Sequence, residues 1–173
     1  MKKRKMSFST TEPPGNILAA VVTVSDSCAR GEREDLSGPA VSKLLEKLRF
    51  QVVAHEIVPD DRIQIQNLLI RLAREVGFIV TTGGTGIAMR DVTPEATTAV
   101  CDRLVDGVAE RMRSEGMKKT PFAALSRGVC GVRGQALILN LPGSPKGAVE
   151  SLQAVAGLIP HAIELLSGKT EHR

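Results

Sequence analysis

Aromatic residues are scarce in this chain of 173 residues, which has no Trp, no Tyr and four Phe. A buried core must therefore be built mainly from aliphatic side chains. Proteins that bind single-stranded nucleic acid stack the bases on exposed rings, so the same scarcity argues against a nucleic-acid partner. The length predicts one domain with room for a sizeable core.

Cysteine is also rare, and no apolar run is long enough to cross a bilayer. Cys28, Cys101 and Cys130 are odd in number and have no metal-ligand spacing. We therefore expect no disulfide framework, and a reducing cytoplasm fits best. No secretory signal is recognisable near Met1, and the sequence gives no reason to expect a membrane partner. The three His fall on separate predicted segments, so there is no pattern for a nucleophile and its base.

Positive charge is concentrated at the start of the chain. The formal net charge is +4, and the four basic residues at positions 2–5 account for all of it. Residues 1–16 are predicted to be a basic, polar, disordered tail, with binding to nucleic acid or a membrane surface as the alternative. Residues 17–168 are predicted to form a single domain, and residues 169–173 a short C-terminal tail.

Strand and helix patterns alternate along almost the whole domain. Strands are predicted at 17–24, 50–58, 78–80, 129–132 and 136–141, and helices start near 37, 60, 94, 106, 145 and 160. Such alternation predicts an α/β fold with a parallel sheet covered by helices on both faces. The segments 129–132 and 136–141 are predicted to pair as a hairpin.

The stretch from 77 to 97 carries the strongest chemical pattern. The buried strand Phe78–Val80 ends in a turn with three glycines within Gly83–Gly86, whose backbone a ligand can approach closely. Arg90 can bind phosphate oxygens as a fork, and Asp91 can bind a divalent cation. The order of these features, a strand, a glycine turn, an Arg-Asp pair and a helix start, predicts a binding site for an anion. The alternative is an ordinary strand-to-helix connection without a ligand.

Two helix starts have the same sequence logic. Thr93 is predicted to be an N-cap residue followed by Pro94 at the first helical position, and Ser144 precedes Pro145 in the same way. Because helix N-termini favour anions, both starts are candidates for phosphate contacts.

Acidic side chains follow three of the predicted strands. Ligands in open α/β sheets bind at the carboxyl ends of the strands, where Asp26, Asp60 and Asp91 could share one cleft and hold Mg²⁺. Two of them have an alternative role: Asp60 as a helix N-cap, and Asp26 as the cap of a turn. Arg133 could bind a phosphate or be a solvated turn residue.

The ordered set of motifs resembles the molybdopterin-binding domain family, and within it the molybdopterin adenylyltransferases. The resemblance covers about residues 17 to 168. It is carried by Thr23-Val24-Ser25-Asp26-Ser27, Ile57-Val58-Pro59-Asp60, Thr81-Thr82-Gly83-Gly84-Thr85-Gly86, Arg90-Asp91-Val92-Thr93-Pro94-Glu95-Ala96-Thr97, Leu125-Ser126-Arg127, Gly131-Val132-Arg133-Gly134 and Asn140-Leu141-Pro142-Gly143-Ser144.

The resemblance implies a three-layer α/β/α domain with a mostly parallel central sheet, assembled as a homotrimer. It implies an enzyme of molybdenum cofactor biosynthesis that transfers AMP from Mg-ATP to the terminal phosphate of molybdopterin and releases pyrophosphate. The adenylated product is then expected to pass to a downstream molybdenum-insertion protein. Two alternatives stay open: a non-catalytic molybdopterin-binding or scaffold protein of the same fold, and a nucleotide pyrophosphatase of a related domain type.

The resemblance also implies site residues by position. Asp60 and Asp91 match the essential carboxylates and are expected to be catalytic and to bind Mg²⁺. Contacts to ATP and molybdopterin are expected from Ser25, Asp26, Ser27, Thr82, Gly83, Gly84, Thr85, Gly86, Arg90, Ser126, Arg133, Pro142, Gly143 and Ser144. In one departure, Leu36 stands where the family often has an arginine, and Arg30 or Arg33 are the candidates to replace it.

Overall fold

The computed structural model of the chain describes residues 17–168. The strands are β1 (Leu18–Val24), β2 (Gln51–Val58), β3 (Phe78–Thr82), β4 (Arg103–Leu104), β5 (Cys130–Arg133) and β6 (Ala136–Leu141). The α-helices are α1 (Asp26–Ala29), α2 (Ser37–Lys47), α3 (Arg62–Leu72), α4 (Thr93–Val100), α5 (Asp106–Met117), α6 (Pro145–Val155) and α7 (Ile159–Leu166). Two short 3₁₀ segments lie at Pro121–Leu125 and Ala156–Leu158.

All six strands form one sheet in the order β2-β1-β3-β6-β5-β4. The four strands β2, β1, β3 and β6 are parallel, whereas β5 is antiparallel to both β6 and β4. Because β1 pairs with β2 on one side and with β3 on the other, the chain reverses its direction across the sheet at β1. Such a switch point leaves a crevice outside the carboxyl ends of the strands.

Helices cover both faces of the sheet. On one face, Val41 and Leu45 of α2 pack with residues of α5, α6 and α7, and on the other Ile65 and Leu69 of α3 pack with α4. The strands supply alternate residues to the two faces, as the pleat requires. The cores are almost wholly aliphatic, and the predicted three-layer α/β/α fold with a mostly parallel sheet is confirmed.

Most predicted elements agree closely with the structure, including the β5–β6 hairpin. Four elements were missed: α1, β4 and the two 3₁₀ segments Pro121–Leu125 and Ala156–Leu158. The first two have four and two residues, which is too short for a helical or strand period to appear in a sequence.

The described part of the chain has no helix long and apolar enough to cross a membrane. Cys28, Cys101 and Cys130 are free thiols. Burial raises the pKa of Cys101 to about 11 and that of Cys130 to about 12, so neither forms a thiolate readily at neutral pH. The predicted tails at 1–16 and 169–173 lie outside the described residues.

Candidate active site

The carboxyl ends of β1, β2, β3 and β6 bring four polar segments to one edge of the sheet. A cavity of about 410 Å³ lies among them, and we call it the acidic cavity because Asp35, Asp60 and Asp91 line it. Its walls include eight residues that the sequence placed in the site: Ser25, Asp60, Thr82, Gly83, Gly84, Asp91, Gly143 and Ser144.

A second cavity of about 590 Å³ adjoins the first, and we call it the large cavity. Its walls include six predicted site residues: Thr85, Gly86, Ser126, Pro142, Gly143 and Ser144. Gly143 and Ser144 line both cavities, so the loop after β6 forms their common border. The arrangement can hold two organic groups with a shared region between them.

Asp26 and Asp60 bond to each other's backbones across the ends of β1 and β2. The Asp26 N–H donates to Asp60 Oδ2 at 3.0 Å, and the Asp60 N–H donates to Asp26 Oδ1 at 3.0 Å. Asp61, not Asp60, is the N-cap of α3, because its carboxylate accepts a hydrogen bond from Gln64 N at 2.9 Å. The capping alternative for Asp60 is therefore wrong, and its carboxylate borders the acidic cavity.

Negative charge accumulates around Asp60. Burial raises the pKa of Asp60, and the neighbouring charges of Asp26 and Asp91 raise it further, against the lowering effects of the Asp26 N–H and of Arg90. A carboxylate whose ionised form is disfavoured in this way is stabilised when a cation binds next to it.

Arg90 is paired with Asp26 beside Asp60, and neither Arg90 nor Asp26 lines a cavity. Its Nη2 and Nε donate to Asp26 Oδ2 at 2.6 and 3.0 Å, and this hydrogen bonding lowers the pKa of Asp26. The Arg90 side chain is 68% exposed, so it can also meet a phosphate that arrives from solvent.

The glycine turn brings backbones unusually close together. Gly83 and Gly84 have φ of +94° and +64°, which L side chains rarely adopt. A Cβ at Gly83 would collide with the carbonyl of Val24, and one at Gly84 with the hydroxyl of Thr93. A Cβ at Gly143 would lie 3.2 Å from the Cα of Gly83, so the loop after β6 also rests against this turn.

Thr93 holds the glycine turn instead of capping α4. The N-cap position belongs to Val92, which makes no side-chain capping bond. The Thr93 hydroxyl donates to the carbonyl of Gly83 at 3.0 Å, and the Thr93 N–H donates to that of Gly84 at 3.1 Å. The N-cap prediction for Thr93 was wrong because a tertiary contact competes for its hydroxyl.

The serines of the site are mostly engaged in local structure. Ser144 caps α6 by accepting from Gly147 N at 3.2 Å, as predicted, and Ser25 caps α1 by accepting from Cys28 N at 3.3 Å. Ser27 Oγ lies 3.2 Å from Ser25 Oγ. The Ser25 N–H donates to the carbonyl of Val58 at 2.9 Å and the Gly83 N–H to that of Leu141 at 3.1 Å, so both of these amides are already engaged in the fold.

Arg133 lines neither cavity, so the structure does not bring it together with the other predicted site residues. It ends β5 and pairs with Ala136 at the start of β6, at the opposite edge of the sheet from the cavities. Its guanidinium donates to the carbonyl of Val100 at 2.6 Å. Because β5 runs antiparallel to β6, its last residue lies beside the start of β6, away from the carboxyl ends that form the site.

Two residues with clear roles in the site were missed. Arg127 bonds to the backbone of the loop that carries Asp91. Asp35 accepts hydrogen bonds from Thr23 Oγ1 at 2.6 Å and from Gly38 N at 3.0 Å beneath the acidic cavity. Burial acts to raise the pKa of Asp35, but these bonds and His55 outweigh it and lower the pKa. Arg127 belongs to the motif Leu125-Ser126-Arg127 and Asp35 directly precedes Leu36, but neither sequence pattern indicates these contacts.

The loop before α2 contains Leu36, the position where the family often has an arginine. Leu36 lines the acidic cavity and is 54% exposed, so no cationic side chain stands there. Arg33 lines the same cavity, whereas Arg30 is paired with Glu32 at 2.8 Å. Of the two candidate replacements, Arg33 is the one that the fold brings to the site.

Within residues 17–168, no group of three or more His, Cys, Asp or Glu side chains is arranged to hold a metal ion. Mg²⁺ is usually bound in nucleotide sites by one or two carboxylates together with substrate phosphates and water. Asp60 and Asp91 on the acidic cavity match that type of site, because the phosphates would supply the remaining ligands.

The fold and the cavities define an open α/β domain with two adjoining cavities at the carboxyl ends of its parallel strands. The profile of the family described as "Probable molybdopterin binding domain" matches residues 20–161. The chain belongs to this family.

Similar proteins have names from the same area of metabolism. A protein of Helicobacter pylori named molybdopterin adenylyltransferase is 43% identical over 156 residues, which cover 88% of this chain and 89% of that protein. The molybdopterin adenylyltransferase of Escherichia coli is 38% identical over 86% of this chain and 84% of its own length. The crystal structure of the molybdopterin biosynthesis enzyme MoaB of Thermus thermophilus has a TM-score of 0.84 and 51% identity, and the alignment covers 90% and 99% of the two chains.

Proposed function

We propose that this chain is a molybdopterin adenylyltransferase of molybdenum cofactor biosynthesis. Its reaction transfers AMP from ATP to the terminal phosphate of molybdopterin and releases pyrophosphate. The observation that carries the proposal is the meeting of Asp60, Asp91 and the glycine turn on one cavity that shares a border with a second. The similar proteins named molybdopterin adenylyltransferases support the same substrate.

The reaction requires two anionic partners to meet in line. A terminal phosphate oxygen of molybdopterin attacks the α-phosphorus of ATP, a new oxygen–phosphorus bond forms, and the bond to the β-phosphate oxygen breaks. Pyrophosphate leaves with the electron pair of that bond. No protein nucleophile or proton transfer at the attacking oxygen is needed, so positioning and charge neutralisation carry the catalysis.

The chain's own residues supply both the positioning and the charge neutralisation. Asp60 and Asp91 would hold Mg²⁺, which would supply charge neutralisation for the phosphates. Backbone N–H groups of the glycine turn and the N-terminus of α6 behind Ser144 favour the phosphates near the shared border. Arg90 exchanges its exposed pairing with Asp26 for a phosphate. The adenosine and the pterin occupy the two cavities.

Pyrophosphate release tests the function. We expect it to require the chain, molybdopterin, ATP and Mg²⁺ together, with label from the α-phosphate of ATP appearing on the pterin product. Molybdopterin binding without label transfer would instead establish a non-catalytic binding protein. Hydrolysis of nucleotides without molybdopterin would establish a pyrophosphatase.

The proposal extends to assembly and location. Family membership alone supports three further proposals: that the chain forms a homotrimer, that a downstream molybdenum-insertion protein accepts the product, and that the protein lies in the cytoplasm. Sedimentation equilibrium of the full chain measures the first, with a mass near 18.5 kDa contradicting a trimer.

A further inference from the structure

Arg127 makes three bonds to the chain segment that borders both cavities. Its backbone N–H donates to the carbonyl of Thr85 at 2.8 Å. Its Nε donates to the carbonyl of Gly86 at 2.7 Å, and its Nη2 donates to the carbonyl of Asp91 at 2.6 Å. One guanidinium therefore bonds to the first and the last residue of a single loop, Gly86 to Asp91, which we call the aspartate loop.

The aspartate loop has little apolar burial to hold it. Residues 87–90 are exposed, and Gly86 and Asp91 are only half-buried. Ala88 and Asp91 bond to each other within the loop, which shapes it but does not attach it to the domain. The pairing of Arg90 with Asp26 is an exposed ion pair, a class of contact that contributes little to stability. The bonds from Arg127 therefore carry much of the attachment.

Glu95 on α4 orients the guanidinium of Arg127. The two side chains form an ion pair between Nη1 and Oε1. Burial acts to raise the pKa of Glu95, but the hydrogen bond from Arg127, the backbone N–H of Glu95 and the charges of Arg127 and Arg62 together outweigh it and lower the pKa. The planar guanidinium fork reaches a carboxylate and two carbonyls at once, whereas a lysine ammonium on its flexible stem does not reproduce that geometry.

We propose that Arg127 is a positioning residue for Asp91. By fixing both ends of the aspartate loop, it sets the Asp91 carboxylate at the wall of the acidic cavity where Mg-ATP binds. The inference rests on the proposed function for its catalytic consequence, and on the structure alone for the order of the loop.

Arg127→Lys keeps the charge and removes the fork. We expect amide hydrogen exchange in the aspartate loop to quicken at least tenfold (about 1.4 kcal/mol) in the ligand-free protein. Turnover at limiting Mg²⁺ should fall by about 100-fold, because small misplacements of a metal ligand have effects of that size. The Mg²⁺ concentration for half-maximal activity should rise, and excess Mg²⁺ should recover part of the loss. Binding of Mn²⁺ with ATP, followed by electron paramagnetic resonance, should weaken in parallel.

Arg71→Lys is the matched control. Arg71 on α3 also pairs with two carboxylates, Glu56 and Glu75, but it lines neither cavity. The Arg71→Lys variant should leave amide hydrogen exchange in the aspartate loop and the Mg²⁺ dependence of turnover unchanged. Glu95→Gln should reproduce the effect of Arg127→Lys in weaker form, and the double variant should be less than additive because both residues act through one contact.

Each outcome decides something. Wild-type exchange and Mg²⁺ dependence in Arg127→Lys would overturn the inference. Lower turnover with an unchanged Mg²⁺ requirement and unchanged Mn²⁺ binding would also overturn it, because that result indicates only a reduced folded fraction. If the wild-type chain has no turnover, the proposed function fails, while loop exchange and Mn²⁺ binding still test Arg127.

Discussion

Replacing Gly84 with alanine tests whether the glycine turn is built for close backbone approach. Gly84 has a φ of +64°, where an L-residue costs about 1–2 kcal/mol. Its new Cβ would collide with the Thr93 hydroxyl and lie 3.1 Å from Asp60 Oδ1. If Thr93 rotates away, its bond to the Gly83 carbonyl is lost, at a cost of about 0.5–1.5 kcal/mol. We expect the free energy of unfolding to fall by about 2–3 kcal/mol.

Urea unfolding measures this loss, with Gly107→Ala as the control. Gly107 lies within α5 and has nothing within 4 Å of its added Cβ, so alanine there should be neutral or stabilising by up to about 1 kcal/mol. For a domain of this size, the loss at Gly84 corresponds to a fall in Tm of about 4–12 °C.

Gly84→Ala should also impair the site. Its methyl group presses on the Asp60 carboxylate, so the affinity for Mg-ATP should fall by at least about tenfold, which calorimetry measures. Stability within about 0.5 kcal/mol of wild type, the usual range for a neutral surface change, together with an unchanged affinity, would refute this account of the turn.

Three further predictions follow from the charges of the site. Asp60→Asn should remove activity and raise Tm at neutral pH. The pKa of Asp60 is raised in the folded state, so its ionised form destabilises the fold at pH values above the ordinary aspartate pKa. Melting curves recorded over a pH series should therefore show that the gain in Tm vanishes at acidic pH. Leu36→Arg should lower the KM for ATP by about threefold to tenfold, since a cation on the acidic cavity can bind phosphate; an unchanged or higher KM would count against it. Arg133→Ala should keep wild-type kcat and KM, and a loss of activity without a fall in Tm would return Arg133 to the site.

The fold was predictable because its main elements are long and strongly patterned. The apolar run Leu18–Val24 and the helical spacing of Val41 and Leu45 are period signals, and they agree with burial in the structure. The β5–β6 hairpin was predictable from two apolar runs about a short turn. By contrast, α1 and β4 depend on tertiary contacts, which local periodicity does not contain.

The sequence predicted which chain segments form the site better than it predicted the individual side-chain contacts within it. Parallel strand ends converge by topology, which placed Asp60 and Asp91 on one cavity. The same reasoning does not place Arg133 there, because in the predicted β5–β6 hairpin the last residue of β5 lies beside the start of β6. It could not foresee that Arg127 would bond to the Asp91 carbonyl, since such contacts join residues far apart in sequence.

The most direct test of the central claim compares neighbouring aspartates in the turnover assay with molybdopterin and Mg-ATP. Asp60→Asn and Asp91→Asn each remove a carboxylate from the acidic cavity and should lower kcat by about 100-fold or more. Asp61→Asn removes the same charge one position away, where the side chain caps α3, and asparagine caps equally well, so it should turn over like wild type. Full turnover by both the Asp60 and the Asp91 variants would contradict the account.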